Sequence, residues 1–330
     1  MSNLANLYLC TLFLNIYNLP ELMISLKSYI TEKQNFLINT KLKNNVNSKI
    51  EYTPKSKDEL EDIIRNLFAK GITDLNCIDT SNITDMSSLF YQYADETFDV
   101  SKWNVSNVTA MEGMFCYCRE FNCDLSSWDV SNAKNMQGMF YECKKLNFDL
   151  SSWNTSNVEN MNNMFYGCKN FEFSGIENLD VSNVTDMNGM FFDCEKFNND
   201  LSYWDVSKVV TMQDMFYNCH NFTGNGIENW DVSNVEDMRY MFSNCKTLNC
   251  NLSKWNVKNV TQMQCMFEEC KNFEGKGLNN WDVSNVKDMG NMFYRSGISE
   301  NLSSWNINKC KNKSDMFKYC DKLKRKPKWY

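Results

Sequence analysis

A fixed internal repeat, mostly of 25 or 26 residues, is the feature that most limits what this 330-residue chain can fold into. The pair Met-Phe marks one point of the repeat and recurs nine times, after an imperfect first copy at Leu89-Phe90. The nine pairs begin at Met114, Met139, Met164, Met190, Met215, Met241, Met266, Met292 and Met316. Such a period is typical of solenoids, in which each repeat buries its apolar side chains only by stacking on its neighbours.

Each repeat predicts two kinds of local structure, as residues 201–219 illustrate. Trp204 and Val206 alternate with a polar residue, which favours an extended segment. The second half then has apolar side chains at i, i+3, i+4 and i+7, which favours one face of a short helix; these are Met212, Met215, Phe216 and Cys219. The sequence therefore predicts an α/β repeat solenoid of short parallel strands and short helical turns.

The repeat motif also resembles a known family. The pattern Trp-Asp/Asn-Val-Ser-Asn-Val-x-x-Met-x-x-Met-Phe-x-x-Cys, clear at residues 128–143 and 230–245, is similar to that of BspA-type leucine-rich-repeat surface proteins, in the DUF285 or Mycoplasma lipoprotein-type branch. The resemblance covers roughly residues 52–319, with local departures at Leu179, Lys208 and Ser296. It implies a leucine-rich-repeat-like, right-handed stack of about ten coils. It also implies a surface-exposed or secreted bacterial protein that contacts host, matrix or neighbouring-cell proteins.

Four segments follow from the pattern. Residues 1–50 precede the repeat and are interpreted as a helical N-terminal extension and linker. Residues 51–74 contain a capping helix, because Ser56 and Glu59 form a capping box before an apolar stripe that ends at Gly71. Residues 75–320 are the repeat solenoid, whose longer repeats insert a glycine turn at Gly175, Gly226 and Gly277. Residues 321–330 are a basic tail, interpreted as solvated, with contact to an anionic surface as the alternative.

The compartment stays open at this level. The apolar run at residues 7–16 is too short to span a bilayer and lacks the flanks of a clear signal peptide, so an atypical secretion signal and a simple helical extension are both considered. The family resemblance favours the cell surface or secretion, and a cytoplasmic location is the alternative.

No residue pattern indicates catalysis, a metal or a cofactor. The one histidine, His220, lacks a partner set for nucleophile activation and is assigned a surface or capping role. The net charge of −7 disfavours a general nucleic-acid-binding role. The expected function is non-enzymatic binding of one or more proteins, with no cofactor and no membrane span. An intracellular repeat scaffold or adaptor is the alternative.

Eight of the fifteen cysteines share one repeat position, at Cys118, Cys143, Cys168, Cys194, Cys219, Cys245, Cys270 and Cys320. Their spacing on an apolar face predicts buried, reduced thiols. Disulfides between neighbouring repeats remain the alternative, since adjacent strands lie close enough to be bridged.

Two rows of side chains are candidate binding faces. The first, the Asp/Asn row, follows the Trp of each repeat and should face solvent from the sheet; it comprises Asn104, Asp129, Asn154, Asp205, Asp231, Asn256 and Asp282. The second, the aromatic stripe, follows the Met-Phe pair and comprises Tyr141, Tyr166, Phe192, Tyr217 and Tyr294. The Asp/Asn row is favoured because a sheet face offers a flat, regular polar surface, whereas packing between repeats is an equally simple role for the stripe. The Asn of the Val-Ser-Asn turn, as in Asn132 and Asn234, is expected to satisfy backbone groups.

Overall fold

The computed structural model describes residues 50–91, 93 and 96–330. The predicted N-terminal extension therefore lies outside the described residues, apart from Ile50. Within this range one α-helix, α1, spans Lys57–Ala69, and two 3₁₀ helices span Ile176–Asn178 and Leu278–Asn280. Turns and single-residue β-bridges form the remainder.

Helix α1 begins as its sequence predicts. Ser56 is the N-cap, and its hydroxyl accepts a hydrogen bond of 3.2 Å from the Glu59 backbone N–H. The Glu59 carboxylate accepts from the Lys55 N–H at 2.6 Å, one residue before the partner that a standard capping box uses. The ring of Phe68 contacts that of Phe98 in the first repeat, with centroids 5.8 Å apart. The helix thus packs on the start of the array through its buried side chains, Leu60, Ile64 and Leu67.

Successive repeats pair through parallel β-bridges of one residue each. The bridged residue precedes the first Met of its repeat, except that Asn312 precedes Lys313. The continuous series, here named the bridge row, comprises Asp85, Ala110, Asn135, Asn160, Asp186, Thr211, Asp237, Gln262, Asp288 and Asn312. Sequence reasoning placed the extended segment at Trp204–Val206, whereas the β-bridge of that repeat lies at Thr211. Alternation of Trp and Val reflects burial on one side of a turn-rich segment and not strand pairing.

The predicted short helix at residues 212–219 is also wrong, and the backbone hydrogen bonds give the reason. The N–H groups of Met212, Asp214, Phe216 and Asn218 all donate to carbonyls of the next repeat, at 2.9–3.0 Å. The intervening N–H groups of Met215, Tyr217 and Cys219 donate three residues back, at 3.0–3.3 Å. Asp214 and Asn218 have positive φ angles of 57° and 60°, outside the helical region. Consecutive turns therefore reproduce the helical spacing of apolar residues while alternate N–H groups bond to the neighbouring repeat.

The core consists of identical side chains stacked in rows. Phe115 and Phe140 have ring centroids 5.6 Å apart and planes within 1°, and Phe216 and Phe242 repeat this arrangement at 5.7 Å and 0°. The paired Met side chains of successive repeats are fully buried beside them. Because each ring is covered by its copies on both sides, burial depends on the stack and not on one repeat.

The inserted glycines have the positive φ that their sequence predicts, at 78°, 87° and 85° for Gly175, Gly226 and Gly277. They do not simply bulge outward, because each lies against the preceding repeat. A Cβ atom at Gly277 would stand 2.6 Å from the Cα of Ser253, closer than real atoms approach. Glycine is therefore required both for the backbone angle and for the close contact.

Residues 321–330 are anchored at their end and do not form a free tail. Trp329 donates through Nε1 to the Leu302 carbonyl at 3.0 Å and stacks on Trp305 with centroids 6.2 Å apart. This contact continues the tryptophan row of the array by one further, incomplete repeat. The right-handed, leucine-rich-repeat-like solenoid of about ten coils stays a prediction.

Candidate binding faces

Every member of the Asp/Asn row is exposed, as the sequence predicts, but the row does not lie on the bridged backbone. Each side chain instead closes a local turn. Asp205 accepts a hydrogen bond from the Ser207 N–H at 3.0 Å, and the other members accept equivalently from the residue two positions later at 3.0–3.3 Å. Asp and Asn share this acceptor oxygen, which explains why both occur at this position.

Electrostatics agree with this turn-closing role. Hydrogen bonds from the Ser207 hydroxyl and backbone lower the pKa of Asp205, and those from Ser131 do the same for Asp129. The lowered pKa values favour the ionised form of Asp129 and Asp205 at neutral pH. One oxygen of each side chain closes a turn of the backbone. The row was favoured as a flat sheet face, and the bridged backbone lies elsewhere in each repeat.

The bridge row is the polar face that sequence reasoning missed. Its side chains, with those two positions later, bond between neighbouring repeats: Asn162 donates to Asp186 at 3.0 Å, and Asn312 donates to Asp288 at 3.0 Å. Arg239 forms a two-nitrogen contact with Asp237 and donates to Gln213 at 2.6 Å. The sequence signal that could have located the bridge row is the residue before the first Met of each repeat, which is polar in nearly every repeat.

Four of the five residues in the aromatic stripe form one continuous stack. The rings of Tyr141 and Tyr166 are 4.3 Å apart, those of Tyr166 and Phe192 are 4.2 Å apart, and those of Phe192 and Tyr217 are 4.5 Å apart. All four side chains are half-buried. Tyr294 is not part of this stack, because Ser243 and Glu268 occupy the two intervening repeats.

Two tyrosines that sequence reasoning did not include extend the stack. Tyr117 contacts Tyr141 edge-on at 5.2 Å, and Tyr240 contacts Tyr217 at 6.3 Å. Gln264 lies two positions after the bridge-row residue Gln262, on what we name the bridge-row face, and donates to the Tyr240 hydroxyl at 2.9 Å. Burial raises the pKa of Tyr217, and nearby carboxylates including Asp214 add to this shift. The stripe and the bridge row are therefore adjacent parts of one surface.

The asparagines of the Val-Ser-Asn turn confirm their predicted role. Asn132 donates through Nδ2 to the Ser106 carbonyl at 2.7 Å, and Asn234 donates to the Ser207 carbonyl at 2.7 Å. The same bond recurs at Asn107, Asn157, Asn183, Asn259 and Asn285. This asparagine row joins each repeat to the one before it.

The cysteine row is formed by thiols that donate to backbone carbonyls. Cys143 donates to the Phe115 carbonyl at 3.0 Å and Cys270 to the Phe242 carbonyl at 2.9 Å, with equivalent bonds along the row. Each cysteine in the described residues has a free thiol. Burial raises the pKa of Cys118 to about 12 and also raises that of Cys143. Seven thiols of the row are buried, as predicted, and Cys320 is half-buried. The buried thiols are poor nucleophiles, and the reduced state of the row stays a prediction.

The remaining candidate for catalytic or metal-binding chemistry among the described residues is His220. His220 is half-buried and its Nε2 lies 3.0 Å from Asn244 Nδ2, consistent with a structural role. Residues 50–91, 93 and 96–330 contain no group of three His, Cys, Asp or Glu side chains that could hold a metal ion. Across the same part of the chain, no helix has the length and apolar character needed to cross a bilayer.

Comparison with known proteins gives one family. The model described as "Mycoplasma protein of unknown function, DUF285" matches residues 59–174, 148–226 and 218–329. No curated protein and no solved structure gives a significant match to the chain. The last matched segment includes Trp329, in agreement with its place in the tryptophan row. Because the three segments together cover most of the chain, this repeat protein belongs to the DUF285 family.

Proposed function

We propose that the protein is a non-enzymatic, protein-binding repeat protein built as a right-handed, leucine-rich-repeat-like solenoid. The observation that supports this most directly is the register of its side-chain rows across successive repeats. Equivalent residues of neighbouring repeats contact each other, as Tyr166 and Phe192 do at 4.2 Å. A surface of this kind suits an extended partner better than a small substrate.

The recognition surface proposed here is the aromatic stripe together with the adjacent bridge row. Half-buried tyrosines present rigid, amphipathic edges at low entropic cost, which is why tyrosine is frequent at interface hot spots. The bridge row and the residues two positions after it supply carboxylate and amide groups beside them, such as Asp186 and Gln213. The Asp/Asn row remains a second candidate face, since its members are exposed.

Site-specific photo-crosslinking tests this proposal. A benzoylphenylalanine at Glu112, an exposed residue of the bridge-row face, is compared with one at Lys254, beside the Asp/Asn row, and one at Asn122 as a control. We expect a discrete crosslinked adduct from Glu112 and not from Asn122. Adducts from Lys254 alone would assign recognition to the Asp/Asn row. No adduct from any position, in the presence of native cells or their extracts, would contradict a protein-binding function.

The resemblance to BspA-type proteins supports a bacterial surface or secreted location and a role in adhesion. The predicted reduced state of the cysteine row would support the alternative, an intracellular scaffold, because disulfides persist mainly in oxidising compartments. Protease treatment of intact cells that contain the tagged protein separates the two. Cleavage in intact cells supports the surface location, whereas full protection that is lost on lysis supports the intracellular scaffold.

A further inference from the structure

The tryptophan row of the array is interrupted at Leu179, which stands where the neighbouring repeats have Trp153 and Trp204. Those two tryptophans are 3% and 4% exposed, and Trp204 donates through Nε1 to the Ile176 carbonyl at 3.1 Å. Leu179 is equally buried, at 3%, but has neither the indole volume nor its N–H donor. The row therefore lacks one ring at this point.

A surface depression of about 420 Å³ lies at the same place. It is lined by Glu177, Asn178, Leu179, Asp180, Val181, Tyr203 and Asp205. Tyr203 is 85% exposed, the highest value among the exposed large apolar side chains of the described residues. Its ring stacks on no other aromatic ring among the described residues, and the equivalent residue of the other repeats is Ser, Asn or Lys, as at Ser127 and Ser152. Folding alone does not explain a tyrosine here.

The charge around this ring is negative. Glu177, Asp180 and Asp205 form no ion pair with any residue the structure describes, whereas Lys169 elsewhere binds two carboxylates at once. Asp180 and Asp205 each use Oδ1 to close their own turns, at 2.9 and 3.0 Å, which leaves the second oxygen for a ligand. The neighbouring cation Lys208 donates to the Asn183 side chain at 2.5 Å and not to one of these carboxylates.

We propose that this depression binds an arginine side chain of a protein partner. The guanidinium would stack on the Tyr203 ring and donate to the carboxylates of Asp180 and Asp205, since a planar, weakly hydrated cation suits both contacts. Leu179 and Val181 also line the depression but are only 3% and 1% exposed, so the accessible apolar surface for the methylene stem comes from the Tyr203 ring. The inference rests on the proposed protein-binding function and names the partner chemistry of the surface around Asp205.

The test uses the full chain with ¹³C-labelled tyrosine and the peptide acetyl-Gly-Gly-Arg-Gly-Gly-amide. The Tyr203 ring signals are assigned by their absence from Tyr203→Ser, a change to the residue of equivalent repeats. We expect a saturable shift of these signals, with affinity at least about tenfold above that of the isosteric, neutral citrulline peptide. A lysine peptide of the same length is expected to bind more weakly than the arginine peptide.

The repeat itself supplies variants that keep the fold. Leu179→Trp restores the residue of the other repeats and should fill the depression, abolishing the shift without lowering the unfolding midpoint. Asp180→Asn with Asp205→Asn removes charge but keeps the turn-closing oxygen, as Asn154 does, and should weaken binding at least about fivefold. The matched control, Asp129→Asn with Asp231→Asn, should leave binding unchanged.

Three results would overturn the proposal: equal binding of the citrulline and arginine peptides, tighter binding of the lysine peptide, or unaltered binding by Leu179→Trp. If Leu179→Trp does not fold, the variant with Asp180→Asn and Asp205→Asn decides, since unaltered binding by it would also overturn the proposal. Failure of the protein-binding function is separate, because it would leave all three crosslinking positions silent while the peptide shift at Tyr203 persists.

Discussion

The thiol of Cys219 donates a hydrogen bond of 3.0 Å to the carbonyl oxygen of Phe191, one repeat earlier in the chain. The same oxygen accepts the backbone N–H of Cys194 at 3.1 Å, so it has two donors from two different repeats. The cysteine row is thus a set of contacts between repeats, and its chemistry can be tested one residue at a time.

Two replacements of Cys219 should separate the contribution of its hydrogen bond to stability from the contribution of its side-chain volume. Cys219→Ala removes both and should lower the free energy of unfolding by about 1–3 kcal/mol. Cys219→Ser keeps a donor, and Ser296 occupies the same register position naturally, so a smaller loss is expected. Urea denaturation of both variants measures this difference. Equal losses would show that the Phe191 carbonyl gains nothing from the second donor.

Alkaline pH should destabilise the protein through the same row. Burial raises the pKa of Cys118 from 9.0 to about 12, so the folded state keeps its proton while the unfolded thiol ionises above pH 9. Stability is fully present below pH 9 and is lost as pH rises towards 12, by up to about 1.4 kcal/mol per pH unit for each such thiol. Urea midpoints at pH 7, 8, 9 and 10 measure the loss.

Cys118→Ser provides the control for this pH dependence, since it should reduce the slope above pH 9 and leave the slope below pH 8 unchanged. Thiol labelling after denaturation without reductant should be nearly complete for the whole row. A midpoint that rises from pH 9 to 10 would contradict the assignment of raised thiol pKa values.

The stability lost when a tryptophan of the row is replaced by alanine should depend on how deeply its ring is buried. Trp204→Ala removes a ring that is 4% exposed and stacks on Trp230 at 6.4 Å, and should cost about 3–5 kcal/mol. Trp329→Ala should cost less, because the Trp329 side chain is only half-buried. Thermal and urea unfolding compare the two. A larger loss at Trp329 would contradict its place at the end of the row.

The Asp/Asn row and the asparagine row should respond differently when Asp and Asn are exchanged. Asp231→Asn keeps the oxygen that accepts from Ser233 and should be nearly neutral, whereas Asp231→Ala should cost about 1 kcal/mol. Asn234→Asp loses the donor to the Ser207 carbonyl and should cost about 1 kcal/mol or more. Chemical denaturation of these three single variants provides the comparison. A neutral Asn234→Asp would show that this bond does not join the repeats.

The sequence predicted correctly those structural features that depend on neighbouring residues or on the repeat period alone. Ser56 and Glu59 predict α1 because an N-cap bond forms within one turn, and it is found at 3.2 Å. Burial of the Met, Phe, Trp and Cys rows also follows from the repeat period, since equivalent side chains must meet when repeats stack. Exposure of Asp205 follows from its alternation with Trp204 and Val206.

The errors arose where backbone geometry depends on the next repeat. The spacing of Met212, Met215 and Phe216 is the same for a helix and for consecutive turns, and only the bonds to the following repeat, with the positive φ of Asp214, separate the two. The position of pairing at Thr211 has no alternating pattern of its own. Trp329 was overlooked as part of a basic tail, although its 24-residue separation from Trp305 marked it as a further repeat.

The division of backbone bonds within residues 212–219 has a mechanical consequence. Alternate N–H groups bond to the next repeat, so a pulling force applied at the two ends of the array is resisted by successive sets of bonds between neighbours. Each set that fails frees one repeat of about 25 residues, which extends by roughly 80–90 Å. Stretching should therefore proceed in equal steps and shorten again in equal steps, so the array would act as an extensible tether whose travel is set by the number of its repeats.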